Sequence, residues 1–215
     1  MTEKVKARRS YNSRLRQEQA AETRMAVLAA AQRLFEVHGY KATTMEAVAN
    51  EAGVSLKTVY LAYATKSGLL RALWDLLLKG DTDEAPVAAR QAYQEVLSEL
   101  DPVLRLRLNA RNAAAVKQRI GGVLRVIRGA APVEEDMAAL WALIQSDFYA
   151  NQEVVLAPLA TAGQLRSGLT LAQATDILWT LNHPDVWLLL HGERGWSPAE
   201  FERWFGDSCC MLLLR

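Results

Sequence analysis

The chain has 215 residues, 51% of them hydrophobic and 23% charged, a balance that excludes disorder along its whole length and supplies side chains for a real core. Its two cysteines are neighbours, Cys209 and Cys210, which excludes a disulfide scaffold or a structural zinc site. The net charge of +1 conceals a division: residues 1–80 carry 13 Lys and Arg against 7 Asp and Glu, and residues 81–215 carry 12 against 17. A basic first part suits a polyanion, or is no more than a solvated helix surface.

Residues 1–20 are polar and basic, with Lys4, Lys6, Arg8, Arg9, Arg14 and Arg16, and predict a loose arm running into a helix. From Ala20 to His38 the apolar spacing is helical, and Gly39 is placed to end the helix. Thr43-Thr44-Met45-Glu46 predicts a capping box with Thr43 as the cap. A short helix follows, stopped at Gly53. Ser55 predicts the cap of the next helix, and a fourth runs from about Ser67 to Gly80.

Asp81 to Pro86 predicts a linker. Beyond it every segment is helical: 87–100, 103–129, 134–162, 170–182, 184–192 and 198–214. Thr170–Gln173 and Ser197–Glu200 predict capping boxes. There is no strand alternation and no internal repeat. The expected fold is all-α: a basic arm at 1–20, a three-helix DNA-binding unit at 21–80, and a helical ligand-binding and dimerisation unit at 81–215.

Two short helices separated by Ala52-Gly53-Val54-Ser55 form a helix-turn-helix. Its second helix would enter a DNA major groove with Leu56 and Lys57 at its start and Tyr60 and Leu61 one turn on. Arg14 and Arg16 could follow from the arm into the minor groove. Packing between helices is the rival account of Tyr60, and solvation that of Lys57 and Lys66.

The chain resembles the TetR family of transcriptional regulators. The resemblance lies in Leu34-Phe35, Gly39-Tyr40, Thr43-Thr44, Val48-Ala49, Ala52-Gly53-Val54-Ser55, Thr58-Val59-Tyr60, Tyr63, Lys66 and Leu69-Leu70. It implies phosphate contacts from Thr44, Tyr60 and Lys66, with Thr43 and Ser55 on the same DNA-binding surface. Ala62 and Leu61 depart from the family pattern, which usually has an aromatic residue or His and a polar residue there. His183-Pro184-Asp185-Val186 and Glu193 to Pro198 are similar to the C-terminal part of an actinobacterial-type branch.

Five of the six tryptophans lie in the C-terminal half. Trp141, Gln145 and Phe148 share one helical face, and Trp179, His183 and Trp187 follow at spacings of four. Core packing accounts for each. The resemblance instead implies a small-molecule effector pocket, for which these six residues with Asn109 and Asn112 are the candidates. It also implies a homodimer, with Leu188, Phe201, Trp204, Phe205, Met211 and Leu212 as candidate interface residues.

His183 and His191 have no partners at metal spacing, so no metal or other cofactor is expected. No nucleophile elbow, phosphate loop or dinucleotide fingerprint occurs, so an enzyme is not expected. No run approaches the roughly 18 apolar residues of a membrane span, and the charged N-terminus lacks a signal core, so a cytoplasmic protein is expected. The expected function is a ligand-responsive repressor that binds palindromic double-stranded DNA. The rival is a helical small-molecule-binding or interaction module that has lost DNA binding, for which Ala62 and Leu61 are the only support.

Overall fold

The computed structural model describes residues 3–80 and 89–215, with side chains from Arg16 onward. The expected linker at 81–86 and the Arg14 side chain lie outside these. The described chain divides into two compact units, one ending at Leu73 and the other Trp74–Arg215.

The first unit opens with α1 (Glu3–Ala42). The helical backbone therefore reaches through the segment expected to be a loose arm. The composition explains this: residues 3–38 contain neither Gly nor Pro, and Ala, Arg, Glu, Gln and Lys are frequent. At Gly39 the helix is interrupted, with φ 76° and ψ 176°, a conformation that costs a glycine little and any other residue much.

Next come α2 (Met45–Glu51) and α3 (Leu56–Tyr63). The cap of α2 is Thr44, whose side chain accepts from the Ala47 N–H at 3.0 Å, and not Thr43. The Thr43 hydroxyl instead donates to the Gly39 carbonyl at 2.8 Å and is 2% exposed. With two threonines in succession, the tertiary contact decides which one is free to cap. Ser55 caps α3 as expected, accepting from the Thr58 N–H. Val27, Ala31 and Phe35 from α1, Val48 from α2, Val59 from α3, and Leu69, Leu70 and Leu73 from α4 (Lys66–Lys79) are all buried and form this unit's core.

The second unit contains α5 (Gln91–Ser98), α6 (Pro102–Ala130), α7 (Glu135–Thr161), α8 (Leu171–Leu181), α9 (Pro184–Trp187) and α10 (Pro198–Leu213). Between α9 and α10, Leu188–Glu193 form a π-helical turn where an ordinary helix was expected. Both expected capping boxes are present, at Thr170 with Gln173 and at Ser197 with Glu200. Proline occupies the first turn of α6, α9 and α10, where its missing N–H costs nothing.

The long helix α6 is the axis of this unit, with α10, α7 and α5 packed along it. Leu106, Ala110 and Ala114 of α6 meet Phe201, Phe205, Cys209 and Leu213 of α10, all buried. Gly121 is required by its neighbour: a Cβ there would stand 2.8 Å from the indole nitrogen of Trp187. No strand occurs among the described residues beyond an isolated bridge between Leu165 and Leu214.

Candidate nucleic-acid interface and ligand cavity

In the first unit, α3 presents one outward face. Ser55, Leu56, Lys57, Tyr60 and Leu61 are exposed, Leu61 at 78% and Tyr60 at 49%, while Val59 on the opposite side is fully buried. Thr44, at the start of α2, is exposed as well. A helix that anchors one side and leaves aromatic, basic and apolar side chains open on the other can meet the edges of base pairs.

Two of the sequence candidates sit elsewhere. Thr43 is buried and its hydroxyl is already bonded, so it is not on this face. The Lys66 amine donates to the Tyr40 carbonyl at 2.9 Å and lies 4.2 Å from the centre of the Tyr40 ring. Lys66 thus ties the start of α4 to the end of α1, complementing the exposed carbonyls of a helix C-terminus. Arg16 is exposed on α1.

The second unit holds a cavity of about 360 Å³. Asn109, Asn112 and Phe148 line it, as expected from the sequence, together with Trp74, Ile144, Lys117, Gln152 and Asn182. Asn109 is 6% exposed, and its amide nitrogen has no hydrogen-bond partner among the described residues.

Lys117 was not anticipated. It is 2% exposed, and its amine donates to Asn182 Oδ1 and stands 5.4 Å from the Phe201 ring centre. Burial in apolar surroundings, opposed only weakly by Cys209, lowers its pKa from 10.5 to about 7. A signal was present in the sequence: Leu106, Asn109, Ala113, Lys117 and Ile120 recur at spacings of three and four, which puts a lysine on the inward stripe of α6.

The remaining pocket candidates are placed away from the cavity wall. Trp187 is 1% exposed and packs on Phe201, with ring centres 5.0 Å apart, and on His191 at 4.5 Å; it is core. Trp141 and Trp179 both meet the His183 ring edge-on, at 6.2 and 4.8 Å. His183 caps α9, its Nδ1 accepting from the Asp185 N–H at 3.1 Å. Burial lowers the His183 pKa, against the pull of Asp185. Gln145 shows no partner for either amide atom among the described residues, yet it does not line the cavity.

Phe201 and Phe205 need correction as interface residues. Both are fully buried within one chain, against α6, so they are unavailable to a second. Met211 is 66% exposed, and Leu188, Trp204 and Leu212 are half-buried. Cys209 and Cys210 are free thiols whose pKa values are raised, first of all by burial. Among the described residues no group of His, Cys, Asp and Glu could hold a metal ion, and no helix is long and apolar enough to cross a membrane.

An outward recognition helix in one unit and a polar-floored cavity in the next are the parts of a DNA-binding transcriptional regulator. A family model described as bacterial regulatory proteins of the tetR family matches residues 27–73. Over 202 residues the chain is 27% identical to the HTH-type regulators ArpR and TtgR of Pseudomonas putida, which covers 92% of this chain and 94% of each of those. The crystal structure of NalD, described as the secondary repressor of the MexAB-OprM efflux pump of Pseudomonas aeruginosa, matches in fold. Its TM-score is 0.66 at 22% identity, over 91% of this chain and 98% of that one. In sequence and in fold the chain is thus similar to TetR-family transcriptional regulators, with the tetR match falling on the helix-turn-helix unit.

Proposed function

We propose that the protein is a homodimeric repressor that holds a palindromic operator through α3 and releases it when a small molecule enters the cavity of the second unit. The observation that carries this reading is the cavity itself, with an unpartnered Asn109 amide in its wall. A buried donor without an acceptor costs free energy that a bound acceptor would recover. Release requires that the ligand bind the DNA-free state more tightly than the DNA-bound state. The relatives support the same reading: TtgR is an HTH-type transcriptional regulator and NalD a secondary repressor.

The DNA-contacting set is Thr44, Ser55, Leu56, Lys57, Tyr60 and Leu61, with Arg16 on α1. One short helix reads few base pairs, which is why two chains are needed, with half-sites about 34–36 Å apart. Met211, Leu212, Trp204 and Leu188 are the apolar side chains left open for that pairing. The two C-terminal segments that resemble an actinobacterial-type branch are the sole ground for placing the chain there.

The test is binding of DNA from upstream of the protein's own gene, read by mobility shift and by sedimentation. Tyr60→Ala and Lys57→Ala should each weaken specific binding by about 1–2 kcal/mol, and Lys57→Ala should also relax sequence preference. Leu61→Gln should change which base is preferred, because an exposed leucine favours a thymine methyl. Met211→Glu should shift the protein toward monomer and lose operator binding with α3 untouched. Unaltered affinity in the α3 variants, or a monomer that still binds the palindrome, would count against the assignment.

A further inference from the structure

We propose that the cavity of the second unit takes an organic anion: an apolar, ring-bearing body ending in a carboxylate or equivalent oxyanion, held between the Lys117 ammonium and the Asn109 amide. The proposal rests on reading this cavity as the effector site.

The polar floor of the cavity is a one-way chain of hydrogen bonds. Lys117 donates to Asn182 Oδ1. Asn182 Nδ2 donates to Gln152 Oε1 at 3.3 Å, and Gln152 Nε2 donates to the Phe148 carbonyl at 2.8 Å. The amide oxygens of Asn182 and Gln152 are thereby occupied, and the Lys117 amine has donors left over. An ammonium has three donors and no acceptor; one goes to Asn182 and the Phe201 ring faces another side. Two turns earlier on α6, Asn109 also lines the cavity, and its buried N–H has no acceptor among the described residues. Between them Ala113 contributes only a methyl group, which leaves the space free.

The charge around Lys117 is equally one-sided. Among the described residues no carboxylate pairs with it. Cys209 on α10 is a thiol held neutral by burial. His183, after α8, is kept toward its uncharged form by burial. Tyr93 on α5 spends its hydroxyl on Asn151 at 3.1 Å. Asp147 of α7 lines the cavity but is an exposed residue. A buried cation without a counter-ion is costly. A carboxylate guest would supply both the missing charge and the missing acceptors, while Trp74, Ile144 and Phe148 enclose its apolar body. A cationic guest would meet like charge, and a purely apolar one would leave both donors unsatisfied.

Because the amine of the empty protein titrates at about 7, an anion that holds it protonated takes up a proton on binding. Affinity is therefore full below that value and falls as pH rises above it.

The experiment uses full-length protein and two matched pairs of probes: 1-naphthylacetate with 1-naphthylacetamide, and indole-3-propionate with its primary amide. Calorimetry at pH 6 and pH 8.5 gives affinity, and fluorescence anisotropy gives operator release. The expected result is that each carboxylate binds about tenfold or more tightly than its amide at pH 6. That preference should disappear in Lys117→Met, and carboxylate affinity should drop several-fold by pH 8.5 with the amide unchanged. Equal or tighter binding of the amides, no binding of either carboxylate, or a preference that survives in Lys117→Met overturns the proposal. Carboxylate binding that leaves DNA affinity untouched supports the anion site and removes the effector reading. Operator release by the amides alone keeps the effector reading and removes the anion.

Discussion

Lys117→Met should make the protein more stable, by about 2 kcal/mol near pH 7.5. Burial lowers the amine from 10.5 to about 7, and each unit of displacement is worth about 1.4 kcal/mol. Near pH 7.5 the unfolded chain carries a proton that the folded chain largely rejects, a difference of about 4 kcal/mol. Against this, methionine leaves Asn182 Oδ1 without its donor, at about 1–2 kcal/mol. The first effect wins. The sign with pH follows: the folded pKa lies below the unfolded one, so wild-type stability rises as pH increases from about 7 to 10.5. The gain from Lys117→Met should therefore be largest near or below pH 7 and shrink toward pH 9. Urea unfolding at three pH values checks both, and a variant less stable than wild type throughout would show the amine to be well satisfied.

Arg105→Ala should do the opposite and cost about 3 kcal/mol or more. Arg105 is as buried as Lys117, at 2% exposure, but its guanidinium donates to three carbonyls. They are Glu99 at 2.9 Å, Leu97 at 2.9 Å and Val155 at 3.3 Å. Two of these lie at the C-terminal end of α5, where the helix leaves its carbonyls unpaired and its dipole favours a cation. Removing the fork strips several acceptors at once, and the Val155 carbonyl among them is buried. Arg105→Lys should recover only part of the loss, because one ammonium cannot span three acceptors. Denaturant midpoints of the two variants give the comparison, and an Arg105→Lys protein as stable as wild type would refute the fork. The two buried cations thus behave differently for a countable reason: one fastens carbonyls of α5 and α7, the other has one amide oxygen and an open cavity.

The caps were the most legible part of the sequence. Ser55, Thr170 and Ser197 each sit where a small hydroxyl precedes an apolar-periodic run, and Gln173 and Glu200 complete their boxes. These signals are local, so no tertiary knowledge is needed to read them. Thr43 and Thr44 were not separable, because both carry the chemistry of a cap and only the fold shows that Gly39's carbonyl engages the first. The outward face of α3 was legible from the helix-turn-helix pattern, which placed Leu56, Lys57, Tyr60 and Leu61 toward DNA, and all four are exposed. The cavity was half-legible. Asn109 and Asn112 stand out as amides on a long helix, but the aromatic residues at spacings of four did not identify the wall. Trp187 is aimed at Gly121 and Phe201, and Trp141 and Trp179 at His183. Spacing assigns side chains to a face of one helix and says nothing of what the facing helix offers. Phe201 and Phe205 failed as interface residues for the same reason, since α6 was waiting for them.

The π-helical turn at Leu188–Glu193 bears on how this part of the chain can vary in length. A π turn accommodates one more residue than an α turn over the same rise. Its ends are held independently, by the His183 cap before α9 and the Ser197–Glu200 box that starts α10. Within it, Leu189 is 51% exposed while Leu188 and Leu190 pack against the core. Loss of a single residue here would let the turn tighten to ordinary helix while both caps stayed in place. The segment is thus a slack link in an otherwise fixed chain, where natural or engineered variants can shed a residue without re-registering α10 against α6.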